Sequence, residues 1–228
     1  RYYNDNQVKK LLNVATLIST GEKISRVAAM SDMEINTLIE QKTFAGSADG
    51  MVTGYINDLL ASMLQFDEEA FEKIYGASIT RLGIFDTMVS VIYPFLNKVG
   101  ILWSVSKTLP AQEHFASCII KRKLNASIDG LKPASPNAKK FLLMLPAGEW
   151  HEISLLFANY VIRSKGYATV YMGQNVPYEN LETAVNIANP DYILLFYITH
   201  TPNAEINTNL KAIVNVNKHV QVLVAGDR

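Results

Sequence analysis

The spacing of apolar residues changes once along the chain, near residue 132. Before that point, apolar residues recur every three or four positions, which is the spacing of helices that bury one face. After it, four short apolar runs alternate with helical stretches. A segment with two prolines, at 132–137, separates the two patterns and marks a domain boundary. The pattern predicts an α + α/β protein, with helices first and a parallel sheet afterwards.

Residues 1–43 are predicted to form three short helices joined by tight turns. Ala15 and Ile18 are expected on the inner face of the first helix, because they continue its apolar spacing. Ser31 and Glu34 have the spacing of a capping box and are expected to begin the third helix. Three such helices suit part of a helix-turn-helix module and equally a small packing appendage.

Residues 48–131 are predicted to form a four-helix bundle, because short connections make neighbouring helices antiparallel. Asp67 is expected to cap the second helix, Pro94 to kink the third, and Pro110 to lie in the first turn of the fourth. The four helices are expected near residues 51–65, 67–81, 83–103 and 108–130.

Residues 138–228 are predicted to form a doubly wound, Rossmann-like parallel sheet. The strands are expected at 141–145, 168–171, 192–196 and 220–224. The helices between them are expected near 150–164, 178–188 and 203–215.

Composition narrows the function classes. The chain has 21 basic and 21 acidic residues, so its net charge carries no signature of nucleic-acid or anionic membrane binding. Its single cysteine, Cys118, fits a reducing cytoplasm. We expect no secretory signal and no apolar run of membrane-spanning length. The sequence also has no phosphate-binding loop, nucleophile elbow or Cys-x-x-Cys motif, which argues against several enzyme classes.

The segment Pro146–Ser154 is the first candidate site, because it follows the first predicted strand and opens a helix. Ligands of open α/β sheets bind at the carboxyl ends of the strands. We expect His151 on the first helical turn, where its ring could offer a nitrogen to a metal while Glu149 fixes its tautomer. The spacing alone favours a histidine that is merely packed or solvated near a helix start.

A second candidate site lies in the predicted bundle. Trp103 ends the third helix, and Glu113 and His114 follow after nine intervening residues, in the first turn of the fourth helix. A tight connection would bring an aromatic ring close to a carboxylate and an imidazole. Taken alone, a buried tryptophan and a surface Glu–His pair are the simpler interpretation.

Together, these residues resemble the cobalamin-binding sensor domains of MerR-type transcriptional regulators of the CarH/CarA/LitR-like group. The resemblance rests on Trp103, on Glu113-His114 and on the Glu-Trp-His-Glu-Ile-Ser segment at 149–154. The Arg-Tyr-Tyr opening and the Ile-Ser-Arg-Val-Ala-Ala-Met-Ser stretch resemble the back half of the MerR winged-helix domain. The recognition helix of that domain would lie upstream of Arg1.

The resemblance implies a cobalamin cofactor, either adenosylcobalamin or methylcobalamin. His151 matches the histidine that binds cobalt from the lower face, and Glu149 matches the acidic residue that holds this histidine. Trp103, Glu113 and His114 match the cap over the upper face.

Several positions differ from the family pattern around the cofactor's nucleotide tail. Ser154 stands where the motif has glycine, and Phe196 stands at a small-hydroxyl position for which Thr199 is the nearest hydroxyl. Gly173 is expected to line the crevice, and Gly226 is what remains of a late Gly-Gly pair. These differences predict a narrowed tail pocket.

The resemblance implies a cytoplasmic, non-enzymatic regulator that forms a homo-oligomer and binds operator DNA through its full-length N-terminal domain, without a membrane partner. It also implies a response to light, although Ser104 replaces a second histidine found in some light sensors. Two alternatives remain open: a corrinoid carrier subunit of a methyltransferase, and a MerR-type regulator that has lost cobalamin binding.

Overall fold

The structure is a computed structural model that describes residues 10, 13–15, 17–18, 21–35, 37–38, 48–104, 108–177, 181–199, 206, 211, 213 and 219–226. The chain divides into two compact units, Arg1–Ile119 and Ile120–Arg228. The predicted domain limits, 1–43, 48–131 and 138–228, remain predictions.

The described residues before the bundle form a small helical core. Helix α1 is Ile24–Ala28. The core between three helical segments consists of buried and partly buried apolar side chains: Leu17, Val27, Ile35, Val14, Met30 and Leu38. The predicted inner positions Ala15 and Ile18 are exposed, so that assignment is wrong: the helix turns Val14 and Leu17 inward instead.

The predicted capping box is present. The backbone N–H of Glu34 donates to Ser31 Oγ at 3.3 Å, and the backbone N–H of Ser31 donates to Glu34 Oε2 at 2.7 Å. These bonds satisfy N–H groups that a helix start would otherwise leave unpaired.

The four helices of the bundle are α2 (Ala48–Leu64), α3 (Glu68–Asp86), α4 (Tyr93–Ser104) and α5 (Pro110–Asp129). Asp67 caps α3, as predicted, by accepting a hydrogen bond of 3.0 Å from the N–H of Ala70. The side chain of Gln112 joins two helix ends: its Oε1 accepts from the N–H of Leu109, and its Nε2 donates to the carbonyl of Leu64, both at 2.8 Å.

The third predicted helix is irregular at two places. Gly83 has φ 80° and ψ 165°, which breaks the helix at the predicted boundary between the second and third helices. Residues Thr87–Ile92 form a π-helical segment whose last bond runs from the N–H of Tyr93 to the carbonyl of Met88. Proline removes one helical donor and crowds the preceding turn. The irregularity therefore lies on the N-terminal side of Pro94 and takes the form of a widened turn.

Residues Glu68–Trp103 make a helical run that, by length and composition alone, is apolar enough to cross a membrane. The expectation that no such run exists therefore does not hold. Seven of its apolar side chains are at most 1% exposed: Phe71, Tyr75, Met88, Val91, Ile92, Phe95 and Val99. A core helix of a soluble protein passes the same test, so the run does not by itself indicate a membrane protein.

The second unit contains a parallel four-stranded sheet in the order β2-β1-β3-β4. The strands are β1 (Lys140–Pro146), β2 (Ala168–Val176), β3 (Tyr192–Tyr197) and β4 (Gln221–Gly226). Helix α6 (Ile153–Ser164) connects β1 to β2, and α7 (Leu181–Ala188) connects β2 to β3. The predicted helix at 203–215 lies largely outside the described residues, although Ile206, Lys211 and Ile213 are helical.

Strand order places a switch point between β1 and β3. From β1 the chain moves outward to β2, and after β3 it moves outward in the other direction to β4. Loops that leave two neighbouring strands in opposite directions open a crevice at the strands' carboxyl ends. The loops that follow Pro146 and Tyr197 therefore flank the position at which this fold binds ligands.

Candidate ligand site at the switch point

Residues 147–152 form the loop between β1 and α6, and they carry Glu149 and His151. Helix α6 begins at Ile153, with Glu152 at its N-cap position. The expectation that His151 lies on the first helical turn is therefore wrong: it precedes the helix. The reason is that the N–H groups of Trp150 and His151 are bound by the side chain of Glu149 at 2.9 and 3.0 Å, which folds the loop back on itself.

The Glu149 side chain is only 3% exposed, and both of its oxygens accept several hydrogen bonds. Oε1 accepts from the N–H groups of Trp150 and His151, and it lies 2.7 Å from Nδ1 of His151. Oε2 accepts from the N–H of Ile198 at 2.9 Å and from both the N–H and the hydroxyl of Thr199 at 2.8 Å. One carboxylate thus joins the loops that follow β1 and β3.

These contacts keep Glu149 ionised. Burial by itself would raise the pKa of its carboxyl group, but the hydrogen bonds from Thr199 and His151 outweigh burial and lower the pKa to about 2. An ionised carboxylate can only accept hydrogen bonds. The Nδ1 atom of His151 must therefore be the donor in this pair, which leaves the lone pair of a neutral imidazole on Nε2.

His151 has the arrangement of a metal-binding histidine. Its side chain is 58% exposed, and its Nδ1 is bound to a buried carboxylate. Histidines that bind metals commonly donate their other ring N–H to such a partner. Among the described residues, no three His, Cys, Asp or Glu side chains are grouped closely enough to hold a metal ion by themselves. His151 can thus offer one ring nitrogen, Nε2, to a metal.

Strand β2 supports the loop from the other side. Asn175, with φ 52°, accepts a hydrogen bond from the N–H of Gly148 at 2.8 Å and donates its own N–H to the carbonyl of Glu149 at 3.0 Å. We did not predict this role for Asn175. The available signal was the Gly-Gln-Asn sequence at the end of a strand, because asparagine tolerates the left-handed conformation better than most residues.

Gly173 also lies at this end of β2, where the pairing with β1 shifts register. It is buried and has φ 81°, and a Cβ at this position would approach Oε1 of Glu152 to 3.5 Å. Gly226, at the end of β4, is packed still more closely, because a Cβ there would overlap the carbonyl oxygen of Tyr197. Both glycines thus lie toward the carboxyl ends of their strands, and their role at a cofactor remains a prediction.

The remaining residues of the predicted tail pocket are Phe196, Thr199 and Ser154, and Phe196 and its neighbour Tyr197 pack in different apolar clusters. Phe196 is half-buried and packs in the apolar cluster that includes Leu145 of β1 and Leu155 of α6. Tyr197 belongs to the other apolar cluster, and its buried hydroxyl has no hydrogen-bond partner among the described residues. Thr199 is bound to Glu149, and Ser154 is partly buried in the first turn of α6.

The candidate site residues of the bundle, Trp103, Glu113 and His114, belong to the first unit. They differ in one respect from the simpler interpretation of a buried tryptophan beside a surface Glu–His pair. Trp103, at the end of α4, is 60% exposed rather than buried. Glu113 accepts a 2.6 Å hydrogen bond from the hydroxyl of Ser117, and its other oxygen lies 3.9 Å from Nδ1 of His114. The His114 side chain is exposed. An indole and an imidazole are therefore free to contact a ligand on the surface of this unit.

Comparison with known proteins identifies relatives of both units. Residues 55–127 match the family model described as a B12 binding domain. The chain is 26% identical over 196 residues to the HTH-type transcriptional repressor CarH of Myxococcus xanthus, a match that covers 85% of this chain and 65% of that protein. It is 28% identical over 135 residues to the repressor CarA of the same organism, covering 59% and 45%. The chain therefore spans less than two thirds of the length of these relatives.

The fold also occurs in a solved structure, the monomethylamine corrinoid protein of Methanosarcina barkeri. The TM-score is 0.55 at 13% sequence identity, over 76% of this chain and 84% of that one. This likeness confirms the predicted helical bundle with a parallel, Rossmann-like sheet. The match to the B12 binding domain confirms the prediction of a cobalamin cofactor.

Proposed function

We propose that this chain is the cobalamin-binding sensor region of a transcriptional regulator. The observation that carries the proposal is the Glu149–His151 pair at the switch point of the sheet, where an ionised carboxylate binds Nδ1 of an exposed imidazole and leaves the lone pair on Nε2. The match of residues 55–127 to the B12 binding domain and the similarity to two repressors support it.

The residues present fit a corrinoid in three respects. His151 offers one nitrogen ligand, which is what a cobalt ion already held by a corrin ring lacks. Gly173 and Gly226 place no side chain of their own near the carboxyl ends of β2 and β4. The buried hydroxyl of Tyr197 has no partner among the described residues and could bind a polar group of a ligand.

Each residue then has a defined task. His151 binds the cobalt, and Glu149 holds the ring orientation and the Nδ1–H tautomer. Gly173, Ser154, Thr199 and Gly226 belong to the surroundings of the cofactor, and Trp103, Glu113 and His114 are its upper-face contacts, as the resemblance implies. When bound, cobalamin supplies a cobalt ion with exchangeable axial ligands and, in its alkylated forms, a light-sensitive cobalt–carbon bond.

In this proposal, regulation results from a shift in the populations of two oligomeric states. A ligand changes an equilibrium only through different affinities for two states. In this proposal the cofactor binds more tightly to one homo-oligomeric state of the cytoplasmic protein, and that state arranges the DNA-binding domains of the full-length regulator on its operator. Illumination acts on the same equilibrium. An adenosylcobalamin-loaded chain whose spectrum and molar mass in solution stay the same under green light would contradict the light response.

Two alternatives have their own tests. A corrinoid carrier would accept a methyl group from a donor onto the bound cofactor, which a sensor need not do. The helical core before the bundle, with its capping box, is the observation that favours a regulator over a carrier. A regulator without cobalamin would leave the visible spectrum of added adenosylcobalamin unchanged.

The decisive experiment asks whether a protein histidine binds the cobalt. Cob(II)alamin has an unpaired electron that couples to its axial nitrogen, so ¹⁴N splits each line of the electron paramagnetic resonance spectrum into three and ¹⁵N into two. We expect protein labelled with ¹⁵N-histidine to give doublets. Triplets would show that the cofactor's own base remains bound, and the ligand assignment would be wrong.

Single substitutions assign the nitrogen to one residue. His151→Ala should remove the doublets and weaken cobalamin binding at least about tenfold. His114→Ala and His219→Ala are the controls, and both should keep the doublets, because neither imidazole is proposed to reach the cobalt from below.

A further inference from the structure

Glu152 directly follows His151, but its carboxylate enters a separate set of contacts. Its Oε1 accepts a 3.0 Å hydrogen bond from the hydroxyl of Tyr171 in β2. Its Oε2 lies 3.8 Å from Nζ of Lys121 in helix α5. All three residues belong to the second unit.

The position of Glu152 makes these contacts unusual. It is the N-cap residue of α6, where a side chain commonly accepts a hydrogen bond from the helix start, yet its side chain makes no such bond. The carboxylate is committed instead to β2 and α5. Burial, followed by the neighbouring Glu152 charge, raises the pKa of Tyr171, so its hydroxyl remains a donor across the physiological range.

The contact with Lys121 is mostly shielded from water. The side chain of Glu152 is 19% exposed and that of Lys121 is 32% exposed. An ion pair in such surroundings is screened less than a pair on the open surface. Tyr171 holds the carboxylate in place, which lowers the entropy that the pair would otherwise lose on forming.

Helix α5 is the only element of this set that also carries residues of the upper-face proposal. Glu113 and His114 lie in its first turns, and Lys121 follows His114 by about two turns of the same helix. A displacement of residues 149–152 is therefore expected to reach α5 through the Glu152–Lys121 pair.

We propose that Glu152 is a positioning residue that couples the His151 loop to helix α5 through Lys121, with Tyr171 fixing its carboxylate. The inference rests on the proposed function and extends it, because it names the contacts through which ligand binding at His151 would change the stability of α5. It concerns contacts of the cofactor-free protein, so it can be tested whether or not cobalamin binds.

The first test uses the protein without cofactor. Amide hydrogen exchange is measured for the loop 147–152 and for residues 117–124 of α5 in the wild type, Glu152→Gln and Lys121→Met. We expect each substitution to speed exchange roughly threefold to tenfold in both segments, because each removes one partly shielded ion pair. Lys139→Met is the matched control: it removes the pair between Lys139 and Asp191 in the same unit and should affect neither segment.

Swapping the two charged residues distinguishes loss of the ion pair from other effects of a substitution. Lys121→Glu alone should speed exchange in both segments, and the double variant Lys121→Glu/Glu152→Lys should restore most of the protection. Acceleration confined to α5 in Lys121→Met, with the loop unchanged, would overturn the proposal. Failure of the double variant to recover any protection would also overturn it.

A second test adds hydroxocobalamin. In the wild type we expect slower exchange in both segments. In Lys121→Met the loop should be slowed as much, but residues 117–124 clearly less, because only the direct contacts of Glu113 and His114 then protect α5. Cobalamin affinity should stay within about threefold of the wild type. Equal protection of α5 in both proteins would contradict the coupling. If the wild type does not bind hydroxocobalamin, the proposed function fails, while the cofactor-free experiment still decides the coupling.

Discussion

Glu149 and Thr199 are joined by two hydrogen bonds of 2.8 Å, because Oε2 of the glutamate accepts from both the backbone N–H and the hydroxyl of the threonine. The two residues follow neighbouring strands of the sheet and are fifty positions apart in the sequence. The same carboxylate holds His151. The orientation of the candidate metal ligand is therefore part of the folded core of this unit rather than the property of a free loop.

Replacing Glu149 with glutamine should destabilise the protein by about 2–3 kcal/mol. One side of the glutamine is an NH₂ group, and it must face N–H donors of either His151 or Thr199, where it cannot accept a hydrogen bond. Urea unfolding followed by circular dichroism measures the change. Glu182→Gln, in the exposed first turn of α7, is the control and should have little effect.

The stability that Glu149 contributes should depend on pH. Its pKa is about 2 in the folded protein, below the ordinary value of 4.5, so between these values the unfolded chain binds more protons than the folded one. The contribution is therefore complete above pH 4.5 and is lost as the pH falls toward 2. It amounts to roughly 2–3 kcal/mol.

The measurement compares the unfolding free energies of the wild type and Glu149→Gln at pH 7, 4.5 and 3. Other carboxylates titrate in both proteins and cancel in the difference. The difference should shrink between pH 4.5 and 3. A constant difference would mean that Glu149 is not held ionised by its neighbours.

Replacing Phe196 with serine should increase the preference for cobalamin over cobinamide, which lacks the nucleotide tail. Phe196 fills space in the cluster with Leu145 and Leu155, and its removal opens room for the tail if that cluster narrows the pocket. We expect the ratio of the two dissociation constants to change about tenfold in favour of cobalamin.

Phe141→Ser is the control for this experiment, because Phe141 packs against the same cluster from the start of β1. Both variants should lose stability, since each leaves a cavity. Only Phe196→Ser should change the ligand ratio. If the ratio of dissociation constants were equal in the two variants, Phe196 would not line the tail pocket.

Gly226→Ala should destabilise the second unit by more than about 1 kcal/mol. An added Cβ would overlap the carbonyl oxygen of Tyr197, which is backbone and cannot move aside without disturbing the pairing of β3 with β4. Gly76→Ala is the opposite control. It lies within α3 with open space around it, and alanine there should stabilise by about 0.5–1 kcal/mol. Thermal unfolding of the two variants gives the comparison.

Local chemistry in the sequence was sufficient to predict the elements and several of their ends. The capping box at Ser31 and Glu34, the cap at Asp67 and the four strands all depend on residues that are neighbours in the chain. The change of apolar period near residue 132 predicted the fold class for the same reason, since each period is a property of one helix or one strand. The roles of the site residues remain predictions, although the sequence did single out Glu149 and His151.

Interactions between distant residues were decided only by the tertiary structure. The sequence placed His151 on a helical turn, but Glu149 binds the loop's own N–H groups and Thr199 at once, which keeps His151 ahead of the helix. Pairing of Asn175 with Gly148, and of Glu152 with Tyr171 and Lys121, likewise depends on how strands and helices pack. Short-range patterns report which face of an element is apolar, whereas hydrogen bonds between strand ends depend on strand order, which no local pattern encodes.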